Sequence, residues 1–280
     1  MSPQVWVITG ASRGLGKEFA QVALKNGCYV AATARKPETI TAALGEHENL
    51  MHVALDVTNP TQIKEAISSI VEKWGRIDVL INNAGYGIFG ALEEVSDQEV
   101  RSLFDTNFFG TMNVTRAVLP IMRNQKSGRI ISLGSMASFA CDPGGSAYDA
   151  SKFAIAAMSE TLSLEMGVFG IESMVVEPGM FRTNFFDSSS IRTPANPIEA
   201  YDNTPARGAL NYCLDHNYQQ NGDPAKVAQV VYEIATAPEK MPLWLPIGAD
   251  SVKKFEKKLT RMVESIQPYK ERLTNCSIED

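Results

Sequence analysis

The chain has 280 residues, 44% apolar and 21% charged, with a formal net charge of −6. That balance suits a globular protein with a sizeable core and argues against a nucleic-acid binder, whose affinity needs basic surface against phosphates. Its four cysteines and three histidines fall in no C-x-x-C or metal-ligand spacing, so no metal site or disulfide framework is expected and a reducing compartment fits.

The chain passes from MSPQ into VWVITG with no basic leader or cleavage site, and no run approaches the ~18 apolar residues of a membrane span. Cys276 lies fifth from the end, which is not a prenylation box. A cytoplasmic protein is expected, without membrane attachment.

In chain order, VWVIT (5–9), CYVAATA (28–34), LMHVAL (50–55), DVLIN (78–82), RIISL (129–133) and ESMVVE (172–177) read as strands. They are rich in Val and Ile and apolar on both faces, the mark of a parallel sheet covered by helices on both sides. Between them, TNPTQIKEAISSIVEKW offers a first-turn proline and then Ile63, Ile67, Ile70, Val71 and Trp74 at helical spacing. Ser96 and Glu99 form a capping box for the next helix. Repeated β-α units predict one doubly wound α/β domain of the Rossmann type over 1–280, with about seven strands. Residues 184–222 lack sustained periodicity and read as an irregular lid or substrate loop. Residues 250–272 carry Val252, Phe255, Leu259, Met262, Val263 and Ile266 as one stripe between lysines, which reads as a docked terminal helix with a solvated basic face.

The first strand runs into TGASRGLGKEFA, where Gly10, Gly14 and Gly16 meet the start of a helix. Glycines there let backbone approach a pyrophosphate, while the helix N-terminus offers free N–H groups to the anion. Ser12, Arg13 and Leu15 complete the turn. The same residues spell G-x-S-x-G, a hydrolase nucleophile elbow with Ser12 as nucleophile and His216 available to close a triad. Against that reading, no earlier strand-loop precedes the turn to donate an oxyanion bond, and no HGGG-type loop occurs elsewhere.

Cofactor choice follows from charge. NAD binders place an acid about 20 residues beyond the glycine turn, on the ribose 2′-hydroxyl. Here no carboxylate lies between Glu18 and Glu38; Arg35 and Lys36 end the second strand instead, with Arg13 in the turn. Guanidinium groups grip a 2′-phosphate, so NADP(H) is expected rather than NAD(H).

TGASRGLG, NNAG (82–85) and SAYDASK (146–152) together resemble the short-chain dehydrogenase/reductase family over about residues 4–248. The ARK ending, PGMFRTNF and LPIGAD look most like its NADPH-dependent carbonyl reductases of the 17β-hydroxysteroid and retinol dehydrogenase branch. The resemblance implies a tetrad of Asn107, Ser135, Tyr148 and Lys152. Tyr148 would exchange the proton with the substrate oxygen, Ser135 would hydrogen-bond that oxygen, and Lys152 would pull the phenol pKa down and bond the nicotinamide ribose. Asn107 would hold a water that resupplies the proton. It further implies that Asp56 and Val57 meet the adenine, Asn83, Ala84 and Gly85 the adenosine ribose, and Pro178, Gly179 and Thr183 the carboxamide. Met136, Phe139, Met180, Phe185 and Phe186 are expected to wall an apolar substrate pocket, with Asp142 repelling anions. The expected activity is reversible reduction of a hydrophobic ketone by a homodimer or homotetramer. A catalytically silent NADP-binding scaffold is the other class of reading, and it predicts loss of a tetrad member; all four are present.

Overall fold

The computed structural model describes residues 3–277. Its centre is a parallel sheet of seven strands built from β1 (Val5–Ile8), β2 (Tyr29–Ala34), β3 (Leu50–Ala54), β4 (Val79–Asn82), β6 (Gly128–Leu133), β7 (Ile171–Pro178) and β9 (Trp244–Ile247). A small parallel pair, β5 (Gly87–Ile88) with β8 (Ile191–Arg192), lies apart from it. The order across the main sheet is β3-β2-β1-β4-β6-β7-β9, so the winding reverses between β1 and β4. A crevice opens at such a reversal, beyond the carboxyl ends of the strands, and it is where these folds take ligands.

Each face is covered because each strand is apolar on both sides. On one, Trp6, Ile8, Ala32 and Met174 pack against Phe19 and Ala23 of α1 (Gly14–Lys25), Ile40 of α2 (Glu38–Leu44) and Val227 and Val231 of α8 (Pro224–Thr236). On the other, Val5, Val7, Leu80 and Ile130 meet Ile63, Ile67 and Ile70 of α3 (Pro60–Trp74) and Val114 and Val118 of α5 (Thr111–Gln125). Ile155 and Ala156 of α6 (Ser146–Met166) close that face over Val175. Asn59 caps α3 ahead of its first-turn proline, and the Ser96–Glu99 capping box starts α4 (Asp97–Phe104).

The six strands read from sequence appear within a residue at either end. Two segments differ from expectation. The lid contains a true helix, α7 (Pro205–Asp215), of which only Leu210 is buried, so no apolar period announced it. The C-terminal helix α9 (Ala249–Ile266) is docked only by its first two turns, and α10 (Lys270–Thr274) touches nothing that buries it.

Candidate active site

Thr9, at the end of β1, ties two loops together: its hydroxyl accepts the amides of Asn83 (2.9 Å) and Ala84 (3.0 Å) beyond β4. Asn83 returns two bonds, to the carbonyls of Thr9 (2.9 Å) and Gly10 (3.0 Å). Gly10 and Gly14 adopt φ of 66° and 54°, where side chains are strained. At Gly16 the constraint is space, since a Cβ would sit 2.4 Å from the Gly10 carbonyl oxygen. Gly16 is therefore packed beneath the turn, whereas Gly10, Ser12, Arg13, Gly14 and Leu15 face the crevice.

That crevice is a single cleft of about 1480 Å³ along the carboxyl edge of the sheet. Past β2 lie Arg35 and Lys36, past β3 Asp56 and Val57, past β4 Asn83, Ala84 and Gly85, past β6 Ser135 and Met136, and past β7 Pro178, Gly179 and Thr183. All were expected there. The arrangement fits a dinucleotide: a strip of glycine backbone with little room for side chains, and two cations, Arg35 and Lys36, at one end. Arg35 and Lys36 are exposed. Arg13 is turned the other way, donating to the Ser189 hydroxyl (2.6 Å) and carbonyl (3.0 Å) of the lid.

Tyr148 and Lys152 lie one turn apart in α6, both buried. The Tyr148 ring sits between Phe89 (5.2 Å) and Phe185 (6.0 Å). Burial pushes its phenol above the ordinary value, with the Ser135 hydroxyl pulling the other way. The Lys152 ammonium stands 5.8 Å from the centre of the ring. Burial also lowers Lys152 itself, to about 8. Its Nζ donates to the Leu133 carbonyl at 2.7 Å, leaving two N–H groups for the cleft. Ser135 is held in extended backbone ahead of a short 3-10 turn, its amide on the Ser138 hydroxyl (2.8 Å) and its own hydroxyl accepting from the Ala137 amide (3.1 Å).

Asn107 is fully buried and does not line the cleft. It occupies a π-helical turn, Asp105–Gly110, and its amide is spent on protein: Oδ1 accepts the Tyr86 amide (3.0 Å), while Nδ2 donates to the Tyr86 carbonyl (2.9 Å) and Ser151 hydroxyl (3.1 Å). It fixes the wall of the site against the tyrosine helix.

Of the expected pocket, Met136, Met180, Phe185 and Phe186 line the cleft. Phe139 does not; it stacks on Phe255 of α9 at 4.2 Å and meets Trp244 at 6.3 Å, an aromatic cluster behind the wall. Residues that sequence reasoning missed complete the wall. Asp250 accepts the Met180 amide (2.7 Å) and stands where a side chain on Gly179 would go, and Lys254 pairs with Asp142. Asp149 is buried beside them, accepts the Asp142 amide (3.1 Å) and is pushed by burial to about 6. From the lid come Arg192, 4.3 Å over the Tyr86 ring, and Tyr212 and Cys213 of α7. Asp149 sits inside the SAYDASK motif next to Tyr148, but no spacing in the sequence joins Arg192, Tyr212, Cys213, Asp250 or Lys254 to the motifs.

The lid hangs on three neighbouring carboxylates. Buried Glu94 accepts the amides of Ala91 (2.8 Å) and Ile198 (2.9 Å) and pairs with Arg207. Burial pushes its carboxyl up, but those bonds and the guanidinium outweigh this and hold it below the ordinary range. Glu93 accepts from Tyr201 (2.8 Å) and Glu99 from the Ala195 amide (3.0 Å). Glu177, one residue before Pro178, is the opposite case: fully buried, with neither carboxyl oxygen hydrogen-bonded, and pushed by burial to about 8.

The elbow reading of Ser12 finds no partner. His216 stacks on Tyr212 at 4.1 Å and its Nδ1 meets the Tyr212 carbonyl at 2.9 Å, away from the cleft lining. Among the described residues no group of His, Cys, Asp and Glu could hold a metal, the cysteines are free, and no helix is long and apolar enough to cross a membrane.

Residues 4–193 match the short chain dehydrogenase family. The chain is 42% identical over 204 residues to a 3-ketodihydrosphingosine reductase of Bacteroides thetaiotaomicron, covering 72% of each chain. A short-chain dehydrogenase from Streptomyces avermitilis superposes with a TM-score of 0.89 at 33% identity, over 99% of this chain and 100% of that one. ElxO, solved with NADP bound, superposes with a TM-score of 0.74 at 26% identity, over 90% and 100%. With its reversed sheet, glycine turn and one-turn tyrosine–lysine pair, this chain belongs to the short-chain dehydrogenase family. It is an oxidoreductase of that class.

Proposed function

We propose that this protein is an NADPH-dependent reductase of a ketone carried on a hydrophobic substrate, working reversibly between ketone and alcohol. The observation that carries the proposal is one continuous cleft lined by Ser135, Tyr148 and Lys152 and, where β2 ends, by Arg35 and Lys36 in place of an acid. The dinucleotide supplies and accepts the hydride. Gly10, Ser12, Gly14, Leu15, Val57 and Asn83–Gly85 hold it along the strip, Asp56 meets the adenine, and Pro178, Gly179 and Thr183 hold the carboxamide. Arg35 and Lys36 receive the 2′-phosphate, and Arg13 joins them on leaving Ser189. The bound NADP of ElxO supports the same choice of cofactor.

The chain's own groups manage the oxygen. Ser135 donates to the carbonyl oxygen as negative charge grows there, and the buried Tyr148 phenol, which keeps its proton until that moment, hands it over. Lys152, at about 8, is mostly ammonium at neutral pH and offsets the phenolate left behind. Asn107 positions Tyr86 and Ser151 and through them the tyrosine helix. Phe89, Met136, Met180, Phe185 and Phe186 exclude water around the reacting carbon. The apolar wall suits a long apolar ketone; Asp142 at its edge is matched by Lys254. The 3-ketodihydrosphingosine reductase relative points the same way.

The test is absorbance of NADPH and NADH with purified protein and ketones graded from short-chain to long-chain. Oxidation of NADPH that rises with apolar chain length and disappears in Tyr148→Phe is expected. Binding of NADPH without Tyr148-dependent turnover across the panel would leave a scaffold and sink the enzyme reading.

A further inference from the structure

The cleft holds one guanidinium that the chemistry above does not use. Most of the cations along its wall are already engaged. Arg13 is bonded to Ser189, Lys152 donates to the Leu133 carbonyl, and Lys254 pairs with Asp142. Arg35 and Lys36 stand where β2 ends, with a 2′-phosphate to receive. That leaves Arg192, on β8 of the lid.

Arg192 is held in place from two sides. Its carbonyl accepts the Phe89 amide (3.1 Å) and the Ser190 carbonyl accepts the Gly87 amide (2.8 Å), so the pairing of β5 with β8 fixes the backbone. The guanidinium carbon lies 4.3 Å from the centre of the Tyr86 ring. Tyr86 is clamped in turn by Asn107, which accepts its amide and donates to its carbonyl. The face of the guanidinium is therefore used and its edge is not. Among the described residues Arg192 forms no ion pair, and its side chain donates no hydrogen bond. Asp105 and Glu99 both push the Tyr86 phenol up, yet neither pairs with Arg192; Glu99 is engaged by Ser96 and the Ala195 amide. A guanidinium carries its donors in a planar fork that matches a carboxylate or phosphate. Stacking on a ring orients that fork without consuming a donor.

The place of the fork in the cleft selects the anion it faces. Tyr86 packs in the cluster of Phe89, Phe185 and Tyr148, the end where the carbonyl is reduced. The phosphates of the dinucleotide belong elsewhere, over the glycine turn and at Arg35 and Lys36. Asp142, expected to repel anions, is matched by Lys254. Resting on the reductase reading, we propose that Arg192 is a specificity-determining residue. It holds an oxyanion, in the simplest case a carboxylate, carried by a ketone whose apolar part lies against Phe89 and Phe185. The substrate is then amphipathic, an oxo fatty acid or a similar chain ended by an anion, rather than a plain ketone.

The experiment takes oxo fatty acids with the ketone at successive carbons along the chain, each against its own methyl ester, with the full chain and NADPH. For the best-placed ketone the acid should have the lower KM, by about tenfold at low salt, as a charge-assisted bond at a partly exposed site gives. The advantage should shrink in high salt, vanish in Arg192→Ala, and partly persist in Arg192→Lys, which keeps the charge and loses the fork. A second arm needs no turnover: calorimetry of octanoate and methyl octanoate on the Tyr148→Phe protein saturated with NADP+. Tighter binding of the carboxylate, lost on adding Arg192→Ala, is expected there whether or not any ketone is reduced, so failure of the reductase reading is distinguished from failure of this one. Circular dichroism and melting curves establish that the variants fold. Equal KM values for acid and ester across the series, with equal binding of octanoate and its ester, overturn the proposal. So does an acid preference that survives Arg192→Ala. Weaker binding of NADPH and NADH alike in Arg192→Ala, with the acid-to-ester ratio unmoved, overturns it too and gives the guanidinium to the diphosphate of the cofactor.

Discussion

Glu177 offers a direct test of how burial sets charge in this fold. It sits on β7 with no exposure and no hydrogen bond to either carboxyl oxygen, and its ordinary value of 4.5 is pushed to about 8. The folded chain therefore holds a proton that the unfolded chain releases, and stability falls as pH rises from about 4.5 and levels off above about 8. At ~1.4 kcal/mol for each tenfold change, the full loss is about 5 kcal/mol, an upper figure because water reaching a buried carboxylate lessens its cost. At ~2–4 °C per kcal/mol for a chain near this size, that is roughly 10–20 °C in the melting temperature. Glu177→Gln keeps the shape and the unmet hydrogen bonds but never ionises, so it removes the slope and not the baseline. Melting curves of both proteins at pH 5, 7 and 8.5 should nearly coincide at pH 5, with the variant ahead by a widening margin above it. Asp149, pushed to about 6, titrates in both proteins and cancels in the difference. Parallel curves at all three pH values would refute the reasoning, since the carboxylate would then be solvated or paired.

Arg35→Ala should raise the NADPH KM roughly 10–100-fold, the worth of a charged hydrogen bond of ~1.5–3 kcal/mol, and leave NADH unchanged. Ala34→Asp should add repulsion and turn the preference toward NADH; steady-state kinetics with both cofactors would show it. Ser135→Ala should lower kcat about 10²–10³-fold with NADPH binding intact, as loss of a donor to a developing oxyanion does. Gly16→Ala, whose Cβ would lie 2.4 Å from the Gly10 carbonyl, should lose dinucleotide binding, measured by fluorescence titration, while the sheet's circular dichroism persists.

Much of the fold was legible because a doubly covered strand has to be apolar on both faces, and VWVI, YVAATA and RIISL are. β9 was harder: four residues with a proline, Pro246, carry no such run. The cofactor end of the cleft was readable since close backbone approach demands glycine, and glycine is visible in a sequence. The substrate end was not. Phe139 beside a motif is as apolar in a pocket as in a cluster with Phe255, and only packing separates the two. Asp250 and Lys254 reach the wall from more than a hundred residues past Ser135, through contacts no local period encodes. The direction of the Arg13 side chain depends on Ser189, at the far side of the same cleft. Read as a docked helix, 250–272 was assigned a covered stripe; the body beneath it ends after two turns, and a stripe alone does not say whose surface covers it.

The three carboxylates that suspend the lid make it a cassette. Residues 191–213 contribute no strand to the main sheet; they bond to the domain through Glu93, Glu94, Glu99 and the two-residue pairing of β5 with β8, and Pro194 and Ala206 pack closely over Gly90 and Gly144. Replacing that segment while keeping Pro194, Ile198, Tyr201, Ala206 and Arg207 at their anchoring points would change one wall of the cleft and leave the main sheet untouched. The cleft wall this segment supplies can therefore vary while β6, which leads to Ser135, and α6, which carries Tyr148 and Lys152, keep their sequence.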